Sequence, residues 1–558
     1  MPTILRVERN IRNLRRYAEI LGIFASYGLG DVVQELGLER FLERGARIAT
    51  AGHANPEFAQ MPRQVRIRRA MEQLGPTFIK LGQVLATRPD LIPEAWAEEF
   101  KKLQDDAPKL ESGLVKLMIR EELGDKVEAL FDWIDDEPLG AASMAQTHAA
   151  RLKTGEDVVV KVLRPSIREI TEADMEAMRL IAEFAEDRFG ELGYSPVEVV
   201  NQFAKELAKE VDLTMEGRAT DRLRGMFEGD ASVVFPKVYW EATTRALLTV
   251  ERIKGVLVSK IKPEDFTAEE RRAIVEAGAR AQLKQCLEVG FFHADPHPGN
   301  LFALPGGRIG FIDCGMTGQL DDRTTQELAE LVAGVVQGDI DQVIEVIQSL
   351  ADVDLLIIES RAFRADVREF VSRFDNTPLD QLNFGLLLRE FFAKVRAHKV
   401  RCPADLVLLI KALTTIESVA TTLDPSFELA AFARPYVVAL VKRKYSISAA
   451  RKRLRGSLVK YAELAEDLPK EIRWIVGQVK KNRLAINLEH RGLQKLTETV
   501  ESASRAVSLA MLVAALVVGS SIIVLASRGA DGLALKVLGA CGFLFAAMLA
   551  MVMVIKRK

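Results

Sequence analysis

Cysteine is scarce in this sequence, and the few cysteines lie far apart. There are four of them, none in a Cys-x-x-Cys pair: Cys286, Cys314, Cys402 and Cys541. A disulfide framework or a structural zinc site requires closely spaced cysteine pairs. The spacing therefore excludes both kinds of protein and predicts that the main domain faces a reducing compartment.

Net charge is almost absent as well. The chain has 76 basic and 78 acidic residues, for a formal net charge of −2. A chain without overall positive charge has no general attraction to nucleic acid, so we expect no nucleic-acid partner. Hydrophobic residues make up 48% of the 558 residues and charged residues 28%, which indicates a globular body.

The sequence does contain a pattern typical of phosphoryl transfer. Asp295 begins the segment Asp-Pro-His-Pro-Gly-Asn that ends at Asn300, and Asp313 begins Asp-Cys-Gly. Protein kinases use such an Asp near the attacking hydroxyl, and an Asn and a second Asp as metal ligands. We therefore predict that Asp295 accepts a proton or orients the nucleophile. Asn300 and Asp313 supply the oxygen ligands that suit Mg²⁺.

The elements before this motif follow the order found in a two-lobed kinase. A β-branched run at 158–162 predicts the second strand of a hairpin, with Lys161 near its end. Lys161 would bind the α- and β-phosphates of ATP, and Glu216 from a later helical segment would hold it. Apolar spacing predicts helices over 167–188, 196–228 and 267–289, and strands over 233–239, 246–252, 301–303 and 308–312.

Three features of an ordinary protein kinase are missing. No Gly-x-Gly-x-x-Gly precedes Lys161, and its place is taken by Gly140, Ala141, Ala142 and Ser143. Alanine methyl groups block the closest approach of a backbone to phosphates, so the nucleotide geometry should differ. In addition, His293-Ala294-Asp295 lacks an Arg before the Asp, and no Ala-Pro-Glu segment follows Asp313.

An earlier segment makes a family resemblance specific. Residues 75–83, with Lys80 and Gln83, continue through 87–90 and 103–105 and resemble the KxGQ signature of the UbiB family. These are atypical kinase-like proteins linked to ubiquinone biosynthesis, also called aarF-domain kinases. Over about 60–320 the family's motifs occur in its order: the Ala-rich loop, Glu210 and Asp212 of an ExD motif, Glu216, the 295–300 loop and 312–315.

The resemblance implies roles for several residues. Lys80 and Gln83 would lie on a helix that covers the nucleotide pocket, with Lys80 meeting Glu210 and Asp212. Such a cover obstructs protein substrates, so the family resemblance implies an Mg-ATP-dependent ATPase or a small-molecule or lipid-directed kinase. The implied partners are a membrane lipid or prenylated quinone intermediate and other quinone-biosynthesis proteins. We add Glu251, at the end of a predicted strand, to the nucleotide-binding candidates.

Three functional hypotheses stay open at this point. The first is the UbiB-type enzyme. The second is a pseudokinase scaffold for a quinone-biosynthesis complex, although a scaffold does not need the complete set of Lys161, Asp295, Asn300 and Asp313. The third is a conventional Ser/Thr protein kinase, which the Ala-rich loop and the KxGQ segment disfavour. Gly140 stands where the family has its first Ala, and this departure could loosen the loop.

The carboxyl-terminal part of the sequence is strongly apolar. Residues 506–526 carry no charge over twenty-one positions, and a second apolar run extends over 537–555. About 20 apolar residues cross a bilayer core, so the pair predicts a transmembrane hairpin, with buried core helices as the alternative. Lys and Arg are enriched over 442–496 and 556–558. The positive-inside rule then places the body on the cytoplasmic side of a bacterial inner membrane.

The amino-terminal residues show a different pattern. Their arginines recur every three or four residues, which predicts a basic amphipathic helix that either packs on the body or contacts a membrane surface: Arg6, Arg9, Arg12, Arg15 and Arg16. No small-residue cleavage site follows, so no cleavable signal peptide is predicted.

Together the patterns predict a predominantly helical α+β chain with a kinase-like fold, an N-terminal helical extension and a C-terminal hairpin. The expected boundaries are an N-terminal helical region, a KxGQ extension, an N-lobe, a C-lobe, a basic helical linker and the hairpin: 1–60, 61–130, 131–260, 261–445, 446–505 and 506–558.

Overall fold

The structure is a computed structural model, and it divides into two compact units, 1–451 and 452–558. It describes residues 16–29, 58, 61–86, 88, 92–103, 108–111, 113–188, 195–262, 264–350, 355–374, 377, 384–398, 400, 403–444, 493–526 and 533–555. Arg6 to Arg15, the 89–90 and 104–105 parts of the KxGQ segment and the basic linker over 446–492 lie outside these residues.

A four-stranded antiparallel sheet carries Lys161. Its strands, in spatial order, are β1 (Phe131–Ala141), β2 (Ala145–Leu152), β3 (Asp157–Leu163) and β5 (Leu247–Glu251). The turn between β2 and β3 contains Gly155 at φ +99°, a conformation that favours glycine. Lys161 lies opposite Thr147 on one side and Leu248 on the other, so its strand is central. The predicted hairpin is confirmed.

Three helices follow β3, where the sequence predicted two. They cover Ile167–Arg188, Pro196–Glu210 and Leu213–Met226, so the single helix predicted over 196–228 is wrong. The helical conformation is interrupted at Asp212. Its extended backbone lets Oδ1 accept a hydrogen bond from the Thr214 N–H at 3.1 Å. A helix N-cap of this kind satisfies a donor that would otherwise lack a partner. Glu216 consequently lies in the first turn of a separate helix.

The chain forms a second four-stranded sheet. Its strands, in spatial order, are β4 (Val233–Val234), β9 (Arg308–Phe311), β8 (Leu301–Leu304) and β6 (Val256–Leu257). The strand predicted over 233–239 is shorter than expected, because Pro236 offers no N–H to a ladder. A separate pair, β7 (Phe291–His293) and β10 (Thr317–Gln319), flanks the two segments that carry Asp295 and Asp313.

The remaining body is helical, as predicted. Ala268–Leu283 begins with a capping box between Thr267 and Glu270 and continues into a wider π-helical turn, Lys284–Val289. Short 3₁₀ turns lie at Trp240–Ala242 and Val258–Lys260. Seven further helices pack their apolar faces into one core: Asp322–Gln337, Ile340–Leu350, Leu355–Ile358, Arg361–Phe374, Phe384–Ala397, Ala404–Leu423 and Leu429–Lys444.

The extension before β1 is also helical. It contains a helix over 16–26 and the helices Arg63–Leu74, Pro76–Ala86, Glu94–Phe100, Leu114–Leu123 and Lys126–Leu130. Phe78, Phe100 and Leu103 pack with Met178 and Phe203 in a core shared with the helices after β3. The extension is therefore built into the first unit through a common apolar cluster.

Two helices in the described residues are long and apolar enough to cross a membrane, Ala404–Leu423 and Val507–Ala526. The first buries Leu406, Leu409 and Leu413 in the core of the body. The second belongs to the helix Leu493–Ala526, which packs against Leu533–Ile555. Any side chain added at Gly542 would clash with Ser520, so small residues let these two helices approach closely.

The outer faces of the terminal helix pair are apolar. Met511, Ile522, Leu525 and Leu544 are each more than 60% exposed within the structure. A water-facing helix would place polar residues there, whereas lipid tails favour this composition. The pair therefore has the surface expected of a membrane hairpin.

Arg16 joins the extension to the body through a buried ion pair. Its Nε lies 2.6 Å from Asp174 Oδ1, and its Nη2 donates to the Leu74 carbonyl at 2.7 Å. The Asp174 side chain is only 1% exposed. This arginine packs on the body, as one of the two alternatives for the amino-terminal helix requires.

We expect Arg16→Leu to lower the free energy of unfolding by about 3 kcal/mol, because it leaves the Asp174 carboxylate buried without a cation. Chemical denaturation of the purified protein measures the change. The double variant Arg16→Leu/Asp174→Leu should recover most of it, since no charge then stays buried. Equal stability of the single variant and the unmodified protein would contradict this account.

Candidate active site

Lys161, Glu216 and Asp313 meet at one point between the lobes. Lys161 Nζ lies 3.0 and 2.8 Å from the two carboxylate oxygens of Glu216, and 3.2 Å from Asp313 Oδ1. The three residues come from the central strand, the helix Leu213–Met226 and the segment after β9. One ammonium group therefore links three segments that are distant in sequence.

Close packing of that helix on the sheet sets the position of Glu216. A Cβ added at the neighbouring Gly217 would lie 3.0 Å from a ring carbon of Trp240 and 3.2 Å from a methyl group of Leu248. Leu248 is the cross-strand neighbour of Lys161. The absence of a side chain at Gly217 thus brings the first turn of the helix within reach of the lysine.

The backbone at Asp313 is strained. Its φ of +53° lies in the left-handed region, which non-glycine residues seldom adopt. Such strain persists where the surroundings impose it and is common at functional sites. Its side chain stays half exposed while it contacts Lys161, so one carboxylate oxygen is held and the group still faces the cleft.

The two carboxylates that share Lys161 differ in acidity. Burial, together with the nearby charge of Asp313, raises the pKa of Glu216 to about 7 against the opposing effect of Lys161. The Lys161 ammonium lowers the pKa of Asp313 well below its usual range. Asp313 is therefore the carboxylate that stays negative at neutral pH and can offer its charge to a cation.

His293 organises the loop that carries Asp295. Its buried ring accepts a hydrogen bond from the Asp295 N–H at Nδ1, at 3.1 Å, and Nε2 lies 3.2 Å from the Ile312 carbonyl oxygen. A ring that accepts at Nδ1 carries its proton at Nε2 and donates to that carbonyl. Burial lowers the pKa of His293, which keeps the ring neutral in this bridging role.

Asn300 is tied to both candidate segments. Its Nδ2 donates to the Asp295 carbonyl at 3.3 Å, and its own carbonyl accepts from the Ile312 N–H at 2.9 Å. With Nδ2 used in that way, the amide oxygen Oδ1 is the atom that Asn300 can offer to a metal. The structure therefore brings Asp295, Asn300 and Asp313, all predicted from their spacing, to adjoining positions.

Lys80 and Gln83 lie on the helix Pro76–Ala86. Lys80 forms an ion pair with Glu210, and its charge contributes to the low pKa of Asp313, so this helix faces the site. Gln83 Nε2 donates to the Leu103 carbonyl at 3.3 Å. Asp212, the other predicted partner of Lys80, caps a helix and lies 3.4 Å from Arg245 Nε.

The Ala-rich loop is held by a residue that the sequence analysis did not identify. Arg164 Nε donates to the Ala142 carbonyl at 2.9 Å, and its Nη2 donates to the Pro108 carbonyl at 2.8 Å. Within the loop the Ala142 N–H bonds the Ala145 carbonyl at 2.8 Å. Arg164 thus ties the loop to the extension, and Ser143 beside it is buried.

Gly140 and Glu251 are two further residues that the sequence analysis predicted to bind the nucleotide. A Cβ at Gly140 would make an ordinary 3.4 Å contact with Thr147 Oγ1, so the alanine usual in the UbiB family would fit there as well. Glu251 lies at the end of β5, where its Oε2 accepts from the Lys237 N–H at 3.2 Å. The structure does not bring Glu251 into the Lys161 cluster.

Another lysine absent from the sequence predictions reaches the site. Lys411 Nζ, from the helix Ala404–Leu423, lies 3.0 Å from Asp295 Oδ1. The sequence signal for Lys411 was weak. It is a single lysine within the apolar run 406–416, a pattern equally typical of a core helix with one solvated charge.

The arrangement defines the class of protein. A strand lysine paired with a helix glutamate, an Asp…Asn loop and an Asp-x-Gly segment between a sheet lobe and a helical lobe are the parts of a kinase-like fold. This confirms the predicted fold class.

The family follows from comparisons with known proteins. The chain matches the ABC1 atypical kinase-like domain over 102–347, the UbiB helical domain over 367–428 and the ABC1/UbiB kinase-like C-terminal domain over 491–557. It is 33% identical to the "Probable protein kinase UbiB" of Pseudomonas paraeruginosa over 440 residues, 77% of this chain and 82% of that protein. The chain belongs to the UbiB family of atypical kinase-like proteins.

Other similar proteins carry less specific descriptions. An uncharacterized protein of Synechocystis is 30% identical over 495 residues, covering 87% of this chain and 84% of that protein. A solved complex of Rv3197 with erythromycin from Mycobacterium tuberculosis covers 63% of this chain and 90% of its own, with 22% identity and a TM-score of 0.44.

We expect Arg164→Ala to free the Ala-rich loop, because both hydrogen bonds from the guanidinium are lost. Hydrogen exchange at the amide of Ala142 should become about tenfold faster or more. Arg120→Ala, which removes an exposed ion pair with Glu128 in the extension, is the matched control and should leave that amide unchanged. Unaltered exchange in the Arg164 variant would refute the coupling.

Proposed function

We propose that this chain is a membrane-anchored, Mg-ATP-dependent phosphotransferase or ATPase that supports the biosynthesis of ubiquinone or a related prenylated quinone. The observation that carries the proposal is the Lys161–Glu216–Asp313 cluster beside Asp295 and Asn300. A non-catalytic scaffold would not need a lysine oriented by two carboxylates or an ionised Asp313 in a strained backbone conformation. It would also not need His293 to connect the Asp295 loop to the segment before Asp313.

The donor set suits ATP with Mg²⁺. Asp313 offers a half-exposed carboxylate and Asn300 an amide oxygen, which are the hard oxygen ligands that Mg²⁺ prefers. The described residues contain no group of three or more His, Cys, Asp and Glu side chains that could cage a metal. Two protein ligands together with phosphate oxygens are the usual arrangement for Mg²⁺ in kinases. When bound, the ion would neutralise charge on the phosphates.

Each protein group then has a role. Lys161, held by Glu216, binds the α- and β-phosphates, since an ammonium group is an effective point charge for phosphate oxygens. Asp295 orients the attacking oxygen, either water or a hydroxyl group. The His293 ring hydrogen-bonds to the Asp295 N–H and to the Ile312 carbonyl, so it fixes these two segments relative to each other.

The covers over the cleft favour a small or lipid acceptor over a protein. An ion pair between Lys80 and Glu210 holds the covering helix, and a hydrogen bond from Arg164 to the Ala142 carbonyl holds the Ala-rich loop. An extended protein substrate needs an open cleft, which these contacts restrict. The family's link to quinone biosynthesis and the apolar terminal helices support a hydrophobic intermediate that is acted on at, or extracted from, the cytoplasmic face of a bacterial inner membrane.

We expect Asp313→Asn to reduce ATP turnover by about 100-fold or more, because it removes the charged metal ligand. Phosphate release by the purified protein in lipid vesicles, with and without Mg²⁺, measures the effect. Asp136→Asn, which changes an exposed partner of Lys116, is the matched control and should retain full turnover. Equal rates for the unmodified protein and the Asp313 variant would remove the enzyme hypothesis.

Deletion of the gene should cause a prenylated quinone precursor to accumulate, which lipid extraction followed by mass spectrometry detects. Complementation with the Asp136→Asn gene should restore the quinone profile, whereas the Asp313→Asn gene should not. An unaltered profile in the deletion strain would separate this chain from quinone biosynthesis without affecting the evidence for ATP turnover.

A further inference from the structure

The helical part of the body contributes a cation to the candidate active site. Lys411 lies in the helix Ala404–Leu423, and its ammonium group is 3.0 Å from Asp295 Oδ1. The same ammonium group lies 3.8 Å from Met316 Sδ, a weak acceptor. The lysine and aspartate side chains are each 29% exposed. Both groups therefore border the cleft that the ligand would enter.

The helix is held so that Lys411 keeps this position. Near its beginning, Asp405 Oδ1 accepts a hydrogen bond from the Gln319 N–H of β10 at 3.3 Å. Leu406, Leu409 and Leu413 are buried in the core on the same helix. A rigid helix anchored beside the Asp-x-Gly segment makes the lysine a preorganised part of the site, since the lysine lies less than two turns beyond that anchor.

Two other lysines near the site are already paired with carboxylates other than Asp295. Lys80 is paired with Glu210, and Lys161 is shared between Glu216 and Asp313. Among the described ion pairs, Lys411 is the cation that lies against Asp295. The terminal phosphate of a bound nucleotide must approach Asp295 for that carboxylate to orient the attacking oxygen. Extra negative charge at this point requires a cation close by.

We propose that Lys411 contacts the terminal phosphate of the bound nucleotide, and this assignment rests on the proposed function above. The partly exposed pair with Asp295 is weak enough for the ammonium to be shared with a phosphate oxygen. A lysine with three donors can contact both groups at once. The helical domain then supplies a phosphate ligand to the site in addition to packing against it.

The test compares a nucleotide that carries a γ-phosphate with one that lacks it. Dissociation constants for Mg-ADP and for a Mg complex of a non-hydrolysable ATP analogue are measured on the full chain in lipid vesicles. In Lys411→Met the analogue should bind roughly 10- to 100-fold more weakly while ADP binding stays unchanged. Lys411→Arg keeps the charge and should preserve the preference. Lys442→Met, an exposed lysine of the same domain, is the matched control.

Each outcome has one meaning. A selective loss of analogue affinity supports the assignment. Equal weakening of both nucleotides, or no change in either, overturns it and leaves the proposed function standing. Failure of the unmodified protein to bind either nucleotide overturns the proposed function together with this assignment. Melting temperatures monitor folding, and Lys411→Gln replaces the Met variant if the latter unfolds.

Discussion

One ammonium group shared by two carboxylates determines the arrangement of this site. Lys161 joins the central strand to the helix of Glu216 and to the strained segment of Asp313. The ammonium group is partly withdrawn from solvent, with the lysine side chain 21% exposed, and both carboxylates stabilise it. Because the two carboxylates differ in burial and in their interaction with this cation, their acidities differ. Asp313 stays ionised toward the cleft, whereas Glu216, with a pKa near 7, acts as the buried support.

The covers over this cluster are parts of the same packed unit. The extension shares an apolar core with the helices after β3, and Arg16 and Lys80 each join it to an acidic residue of the body. Arg164 links it to the Ala-rich loop through two backbone carbonyls. Moving the extension and the loop away from the cleft therefore breaks several polar contacts together, and this is the physical basis for proposing a small or lipid acceptor over a protein.

The helical part of the body supports the other side of the cleft. Its apolar helix Ala404–Leu423 buries one face in the core, holds β10 through Asp405 and presents Lys411 to Asp295. The site therefore has cations on two sides, from the sheet lobe and from the helical lobe. A triphosphate bridging the lobes would satisfy both, since neither side alone balances its charge.

Sequence alone identified the elements whose signals are local. Alternating β-branched residues, apolar helical periodicity, the spacing from Asp295 to Asn300 and Asp313, and the charge-free run 506–526 each reflect short-range physics, and the corresponding elements are present. Tertiary structure decided what depends on distant partners. The contact of Glu251 with the Lys237 backbone, the bridge at His293 and the approach of Arg164 and Lys411 join segments far apart in the chain, and no local pattern encodes such contacts.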